Sequence, residues 1–251
     1  MHDRHSAFPD TPAYTQAQVE DRGQKPRPSD MSTSFHDVHF GYDGGHTVLK
    51  GISFDIPAGK MIALTGHLGA GKRSCARLLT RLWDVSGGQV CIGGTDVRDL
   101  PLKTLRELVA YVPRDGGLLA DRLEATAAER REAACIAEID DLAAPPEILS
   151  PGERRRLALA AAILSQAPIL ILDEPAHALS AADELAWRRA VANVRRGRTV
   201  LLIAHRLATL RMADAIVVLE RGEIVEEGKH EDLLAWNDRY TALIANQTIL
   251  N

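Results

Sequence analysis

With 251 residues, 45% hydrophobic and 25% charged, the chain is long enough for one large domain or two small ones and too apolar to be disordered throughout. Thirty basic residues against 34 acidic ones leave a net charge of −4, so no global field draws it to nucleic acid or an anionic membrane. The longest apolar run, Leu157 to Leu164, is eight residues against the ~20 a membrane-spanning helix needs, and the N-terminal His2-Asp3-Arg4-His5 opens no secretory signal.

Residues 1–32 carry Pro9, Pro12, Pro26 and Pro28 without helical or strand periodicity and read as a disordered leader or linker. Order is expected over residues 33–251. Strands are expected over Ser34–Phe40 and Gly51–Ile56 about the turn residues Asp43-Gly44-Gly45, then over Met61–Thr65, followed by a helix over Cys75–Trp83. Gln89–Ile92 and Thr95–Val97 flank Gly93-Gly94 as a hairpin. Asp121–Glu138 is rich in Ala, Glu and Arg and reads as helix. Ser150-Pro151-Gly152-Glu153 carries a capping box, with Pro151 at the first position of the next helix.

The remainder alternates: strand Ile169–Leu172, helix Ala182–Val194, strands Thr199–Ile203, Ala215–Leu219 and Ile224–Glu226, and a terminal helix from His230. Alternation of strands and helices implies an α/β fold with a mainly parallel sheet. Cys75, Cys91 and Cys135 lack disulfide or metal spacing and read as reduced, small hydrophobes. His36 and His39 are three apart on a strand, so opposite faces and a structural role are expected. Arg154-Arg155-Arg156, without interleaved aromatics, reads as a solvated helix start rather than a nucleic-acid patch.

Two stretches carry chemistry. Gly66-His67-Leu68-Gly69-Ala70-Gly71-Lys72 lies between a buried-type strand and a helix. Glycines let such a loop turn its N–H groups inward, the helix start adds partial positive charge, and the lysine reaches β and γ phosphates. The residue after the lysine is ordinarily a hydroxyl that coordinates Mg²⁺, but here it is Arg73, and Ser74 points ~100° away from it. Either Mg²⁺ is held with one ligand missing, or the guanidinium takes over part of its charge-neutralising task.

Ile169-Leu170-Ile171-Leu172-Asp173-Glu174 is an apolar strand ending in two carboxylates. At a sheet edge, Asp173 would hold Mg²⁺ and Glu174 would orient or deprotonate an attacking water. Alone, the pair is equally an acidic cap for a following helix.

In order along the chain, Tyr42 after Val38-His39-Phe40, the loop Gly66–Ser74, Leu149-Ser150-Pro151-Gly152-Glu153, Ile169–Glu174, Ile203-Ala204-His205-Arg206-Leu207 and Ala213–Leu219 resemble the nucleotide-binding domain of ABC transporters of the exporter type. The resemblance implies a P-loop NTPase core with a small antiparallel β subdomain and a shortened helical subdomain at about residues 115–165. It implies an ATPase at the inner face of the cell membrane, serving a separate transmembrane subunit as a head-to-tail homo- or heterodimer, with ATP and Mg²⁺ as ligands and no nucleic acid. Tyr42 would stack on adenine, Ser74 contact the α phosphate, and His205 contact the γ phosphate and hold the water and Glu174 in line. Ser150 and the Gly152 N–H would grip the γ phosphate bound by the partner.

The sequence departs from that pattern at Arg73, at Arg114 in place of a glutamine that senses Mg²⁺, at Pro151 in place of the signature's first glycine, and at Ser180 in place of an aspartate. The expectation is an ATP-binding subunit that couples ATP binding and hydrolysis to its membrane partner, the alternative being a degenerate, slowly or non-hydrolysing ATP-binding module or exporter remnant; Arg73 and Arg114 point to slow turnover, unless arginine is tolerated there and hydrolysis proceeds.

Overall fold

The computed structural model describes residues 19–42, 45–114, 127–139, 150–174, 181–236 and 238–248. In chain order they form β1 (Thr33–Gly41), β2 (Thr47–Ile56), β3 (Met61–Gly66), α1 (Lys72–Leu79), β4 (Gly87–Ile92), β5 (Thr95–Asp96), α2 (Leu102–Leu108), β6 (Val109–Val112) and α3 (Ala127–Ala137). Then come α4 (Pro151–Leu164), β7 (Ile169–Asp173), α5 (Ala181–Val194), β8 (Thr199–Ile203), α6 (Leu207–Leu210), β9 (Ala215–Glu220), β10 (Glu223–Gly228), α7 (His230–Trp236) and α8 (Arg239–Thr248). Among the described residues, no helix is long and apolar enough to cross a membrane.

Two sheets divide these strands: a six-stranded one in the order β10-β9-β3-β8-β7-β6 and a four-stranded one in the order β2-β1-β4-β5. Within the larger, β9, β3, β8, β7 and β6 run parallel, and only β10 is antiparallel. A parallel sheet must be covered on both faces, and the strand residues alternate between two cores accordingly. Met61, Ala63, Leu170, Leu172, Val200 and Leu202 face a core shared with α3, α4 and α5, whereas Ile62, Leu64, Ile169, Ile171, Leu201 and Ile203 face the small antiparallel sheet, α1 and α2. The P-loop NTPase architecture expected from the sequence is the one observed.

Differences from the expected elements have local causes. Residues 19–32 are an extended strap held by scattered bonds rather than a disordered segment: the Lys25 amide donates to the Asp99 carbonyl, Arg81 to the Glu20 carbonyl and the Leu102 amide to Asp21. Bonds of this kind leave no periodic trace. Residues 1–18 lie outside the described residues. A bulge at Asp37, with φ +45°, shifts the register between Phe35 and Val38 and leaves both His36 and His39 exposed, correcting the expectation of opposite faces. Helix α1 stops short of Trp83 because Arg81 takes φ +51°, with the Thr80 hydroxyl bonded back to Ala76.

α2 and β6 have no counterpart among the expected elements, being only seven and four residues long. The terminal helix is two helices: the buried Glu226 carboxylate on β10 accepts from the Arg239 and Tyr240 amides and so opens α8 afresh. Cys75 and Cys91 are buried, with the Cys75 thiol pushed up by burial to about 12, while Cys135 is exposed and not a core hydrophobe. Of the region 115–165, residues 115–126 and 140–149 lie outside the described residues, as do Asp43, Gly44 and Ser180.

The two sheets are locked together around β2. The Lys50 amide donates to the Gly222 carbonyl of the β9–β10 turn at 2.9 Å. A Cβ on Gly222 would sit 2.2 Å from the Val48 oxygen, and one on Gly71 would sit 2.5 Å from a Leu49 methyl. Residues 48–49 thus lie between that turn and the start of α1.

A candidate nucleotide site at the sheet edge

β3, β8 and β7 are neighbours in register, Leu64 opposite Ile203 and Ile203 opposite Asp173, so the segments that leave these three strands all emerge at one edge. There the sequence places the glycine loop after β3, Asp173 and Glu174 at the end of β7, and His205 after β8. β3 is itself anchored at its start, where the Met61 amide donates to Asp214 and Arg195 pairs with the same carboxylate at 2.6 Å.

The loop is shaped by positions where only glycine fits. At Gly66, with φ +135°, a Cβ would lie 2.0 Å from the Leu219 carbonyl oxygen of β9, and Gly71, the residue before α1, has φ +104°. The Ala70 amide turns back to the His67 carbonyl, and Leu68 at the tip is 93% exposed. Lys72 donates its ammonium to the carbonyls of Gly66 and His67 at 2.7 and 2.8 Å. Burial, reinforced by the charge of Arg73, lowers it to about 8.

Within the first turn of α1, the Ser74 hydroxyl shares a hydrogen bond of 3.0 Å with the Tyr42 hydroxyl, and Arg77 farther along donates to the Tyr42 oxygen at 2.9 Å. The Tyr42 ring meets Phe40 and Trp83 edge to face at 4.8 and 5.2 Å, with the Arg77 guanidinium 5.5 Å from its centroid. The structure therefore brings Tyr42, Ser74 and the loop together, with an aromatic wall beside the phosphate loop.

Arg73 does not point away from the acidic strand. Its Nε donates to Asp173 Oδ2 at 2.6 Å, and the Tyr111 hydroxyl donates to the same oxygen at 3.4 Å. The Asp173 side chain is 4% exposed and that of Arg73 39%. Burial pushes the Asp173 carboxyl up; Arg73 and Arg114, both acting on it, pull it back only partly. These residues do not fit a divalent cation. Position 73 offers N–H donors and no oxygen, Asp173 Oδ2 already accepts from Arg73 and Tyr111, and Arg114 adds a second positive charge where the family pattern has an oxygen ligand.

Glu174, 3% exposed, has a different set of partners. Its Oε2 accepts from the amides of His205 (2.5 Å) and Arg206 (3.1 Å), and its Oε1 from the Thr209 hydroxyl (2.7 Å). His205 Nδ1 lies 2.9 Å from Oε2. Burial pushes this carboxyl up, but the hydrogen bonds from His205 and Thr209 outweigh it and hold the group below its ordinary value. The structure brings Glu174 and His205 into contact. Thr209 joins it without any announcement in the sequence, since a threonine inside a four-residue helix carries no signal of its own.

The signature segment opens α4. The Glu153 amide donates to Ser150 Oγ at 3.2 Å and the Ser150 amide to Glu153 Oε2 at 2.7 Å, the capping box the sequence predicts, with Pro151 at the first helical position. Gly152 is buried against α5, where a Cβ would lie 2.4 Å from Asp183 Oδ1. Of Arg154-Arg155-Arg156, expected as a solvated helix start, the Arg154 and Arg155 side chains lie outside those described and Arg156 departs from the expectation. It is 9% exposed, donating to Asp183 at 3.0 Å and to the Glu138 carbonyl, while Arg189 binds both oxygens of Glu138 at 2.7 Å. This network ties α3, α4 and α5 together.

The family model of ABC transporters matches residues 49–177. The chain is 38% identical over 237 residues to a "Beta-(1-->2)glucan export ATP-binding/permease protein" of Rhizobium johnstonii, covering 86% of this chain and 40% of that protein. It is 40% identical over 230 residues to an "ATP-dependent lipid A-core flippase" of Vibrio cholerae, covering 82% of this chain and 40% of that protein. A bacterial Atm1-family ABC exporter solved with ATP bound superposes with a TM-score of 0.83 at 34% identity, over 92% of this chain and 45% of that one. The chain thus spans somewhat under half the length of these relatives. With its P-loop core and the order of its motifs, it belongs to the ABC transporter family, as an exporter-type nucleotide-binding ATPase domain.

Proposed function

We infer that the chain binds ATP at the edge formed by β3, β7 and β8 and couples its binding and hydrolysis to a transmembrane partner at the inner face of the membrane. The observation that carries this reading is the meeting of the phosphate loop and the acidic strand end, seen in the direct contact between residues 73 and 173. In this reading the loop amides and Lys72 take the phosphates, Ser74 the α phosphate, and Tyr42 stacks on adenine. Glu174 accepts a proton from the water attacking the γ phosphorus, and His205 holds that water and Glu174 in line. Ser150 and the Gly152 N–H grip the nucleotide of a second domain packed head to tail.

The sequence reading puts the membrane partner on a separate polypeptide; the Rhizobium relative is named as an ATP-binding and permease protein in one. Family members use ATP with Mg²⁺.

Slow turnover is favoured over fast by a second observation. Glu174 is held by two amides, a hydroxyl and an imidazole, and must give up part of that set to reach a water. The test is ATP turnover by the full chain beside Glu174→Gln and Lys72→Ala. Slow release of phosphate, abolished by Glu174→Gln, with nucleotide binding lost in Lys72→Ala, supports the reading. Absence of nucleotide binding by the unaltered chain overturns it.

A further inference from the structure

Whether the family's Mg²⁺ has a place here is decided by four side chains. A divalent cation at a phosphate loop supplies positive charge beside the β and γ phosphates and is itself held by a hydroxyl and a carboxylate. Here the hydroxyl is absent, and the carboxylate of Asp173, almost fully buried, is bonded to Arg73 at 2.6 Å and to Tyr111 at 3.4 Å. We propose that this site takes adenosine triphosphate free of metal, with the guanidiniums of Arg73 and Arg114 supplying the charge a divalent cation supplies elsewhere. The proposal rests on the reading that this loop is the nucleotide site.

Charge balance supports it. A divalent cation beside one carboxylate leaves a single net positive charge. Arg73 and Arg114 beside the same carboxylate leave the same net charge without an ion, and both act on Asp173. Geometry supports it too. The Arg73 side chain is 39% exposed even while its Nε holds Asp173, so it is not sealed within the sheet. A planar guanidinium suits phosphate oxygens, which it meets with paired N–H donors. The neighbouring Lys72, now bonded to two loop carbonyls, brings a further cation to the same oxygens.

A divalent ion arriving with the nucleotide would meet two like charges beside a carboxylate whose Oδ2 already accepts from Arg73 and Tyr111. Metal-complexed ATP also carries less negative charge for those guanidiniums to attract.

The consequence is a reversed response to chelator. Binding of ATP to the full chain is measured by calorimetry with excess EDTA and again with excess Mg²⁺, for the unaltered protein, Arg73→Ser and Arg73→Lys. The unaltered protein is expected to bind ATP as tightly or more tightly in EDTA. Arg73→Ser restores a hydroxyl and frees Asp173, and is expected to bind on the order of tenfold more tightly with Mg²⁺. Arg73→Lys keeps a cation at the position and is expected to keep the indifference to metal, which guards against misfolding of the serine variant.

Binding by the unaltered protein that is tighter with Mg²⁺ by about threefold or more overturns the proposal while leaving the nucleotide site standing. Binding in neither condition removes the site reading and the proposal with it.

Discussion

Two arginine–aspartate pairs, one at the sheet edge and one among the helices, use the same chemistry with the burial inverted. In Arg73–Asp173 the carboxylate is sealed, 4% exposed, and the cation is reachable at 39%. In Arg156–Asp183 the cation is sealed at 11% and the carboxylate more open at 30%. The sealed member of a pair bears the desolvation cost, and the open member decides what the pair can do next. At the loop the exposed member is the cation. A sealed guanidinium on α4 ties the helix that opens with the signature segment to α5.

The strongest test of this contrast removes the open carboxylate of the helical pair. Asp183→Ala strands Arg156 without its ion partner and is expected to lower unfolding stability by about 3 kcal/mol in urea melts, with ATP affinity at the phosphate loop unchanged within about twofold. Loss of affinity with little loss of stability would mean that the two pairs are not separate devices. Next, Arg73→Ser leaves Asp173 without its cation; because Arg73 is more than a third exposed and water can compensate, the expected loss is about 1–2 kcal/mol by the same measurement. An equal or larger loss than at Asp183 would break the contrast drawn from inverted burial.

A third test concerns Lys72. Its ammonium, lowered to about 8 by burial, lies below the ordinary lysine value, so burying it charged costs stability in full below pH 8, and that cost fades as pH rises from there toward the unfolded value of ~10.4. A bound phosphate favours the charged form, so nucleotide binding is expected to take up about half a proton at pH 8, and affinity to fall as pH rises through that point. Calorimetry in two buffers of different ionisation enthalpy measures the uptake; a value of zero at pH 8 would show that Lys72 is already fully charged in the free protein. The smallest effect is expected at the exposed Lys25–Asp99 pair, where Asp99→Asn should leave the urea midpoint unmoved, marking the baseline against which the two buried pairs are read.

The parts of the molecule legible in the sequence are those written in local pattern. Apolar runs of four or five residues announce β3, β7 and β8, and Ser150 with Glu153 announces the start of α4. The departures at Arg73 and Arg114 are equally plain. Their meaning is not, because the contact between Arg73 and Asp173 joins residues a hundred positions apart, and neither residue's neighbours say whether the guanidinium reaches the carboxylate. Arg156 is deceptive for the same reason. A run of three arginines looks solvated until α3 and α5 close over its last member with Glu138 and Asp183. Short elements escape as well: α2 and α6, of seven and four residues, are too brief for a helical period to emerge.

The clasp between the β9–β10 turn and β2 carries a consequence for inherited variation. Gly222 lies in the β9–β10 turn, outside the phosphate loop, yet its neighbour across the gap is the Val48 oxygen, and the next side chain, Leu49, rests on Gly71 at the foot of the phosphate loop. A single added methyl at that distant bend would act as a wedge, driven through one strand into the cradle, so an allele damaging at residue 222 would present as a nucleotide defect although its lesion lies in a hairpin.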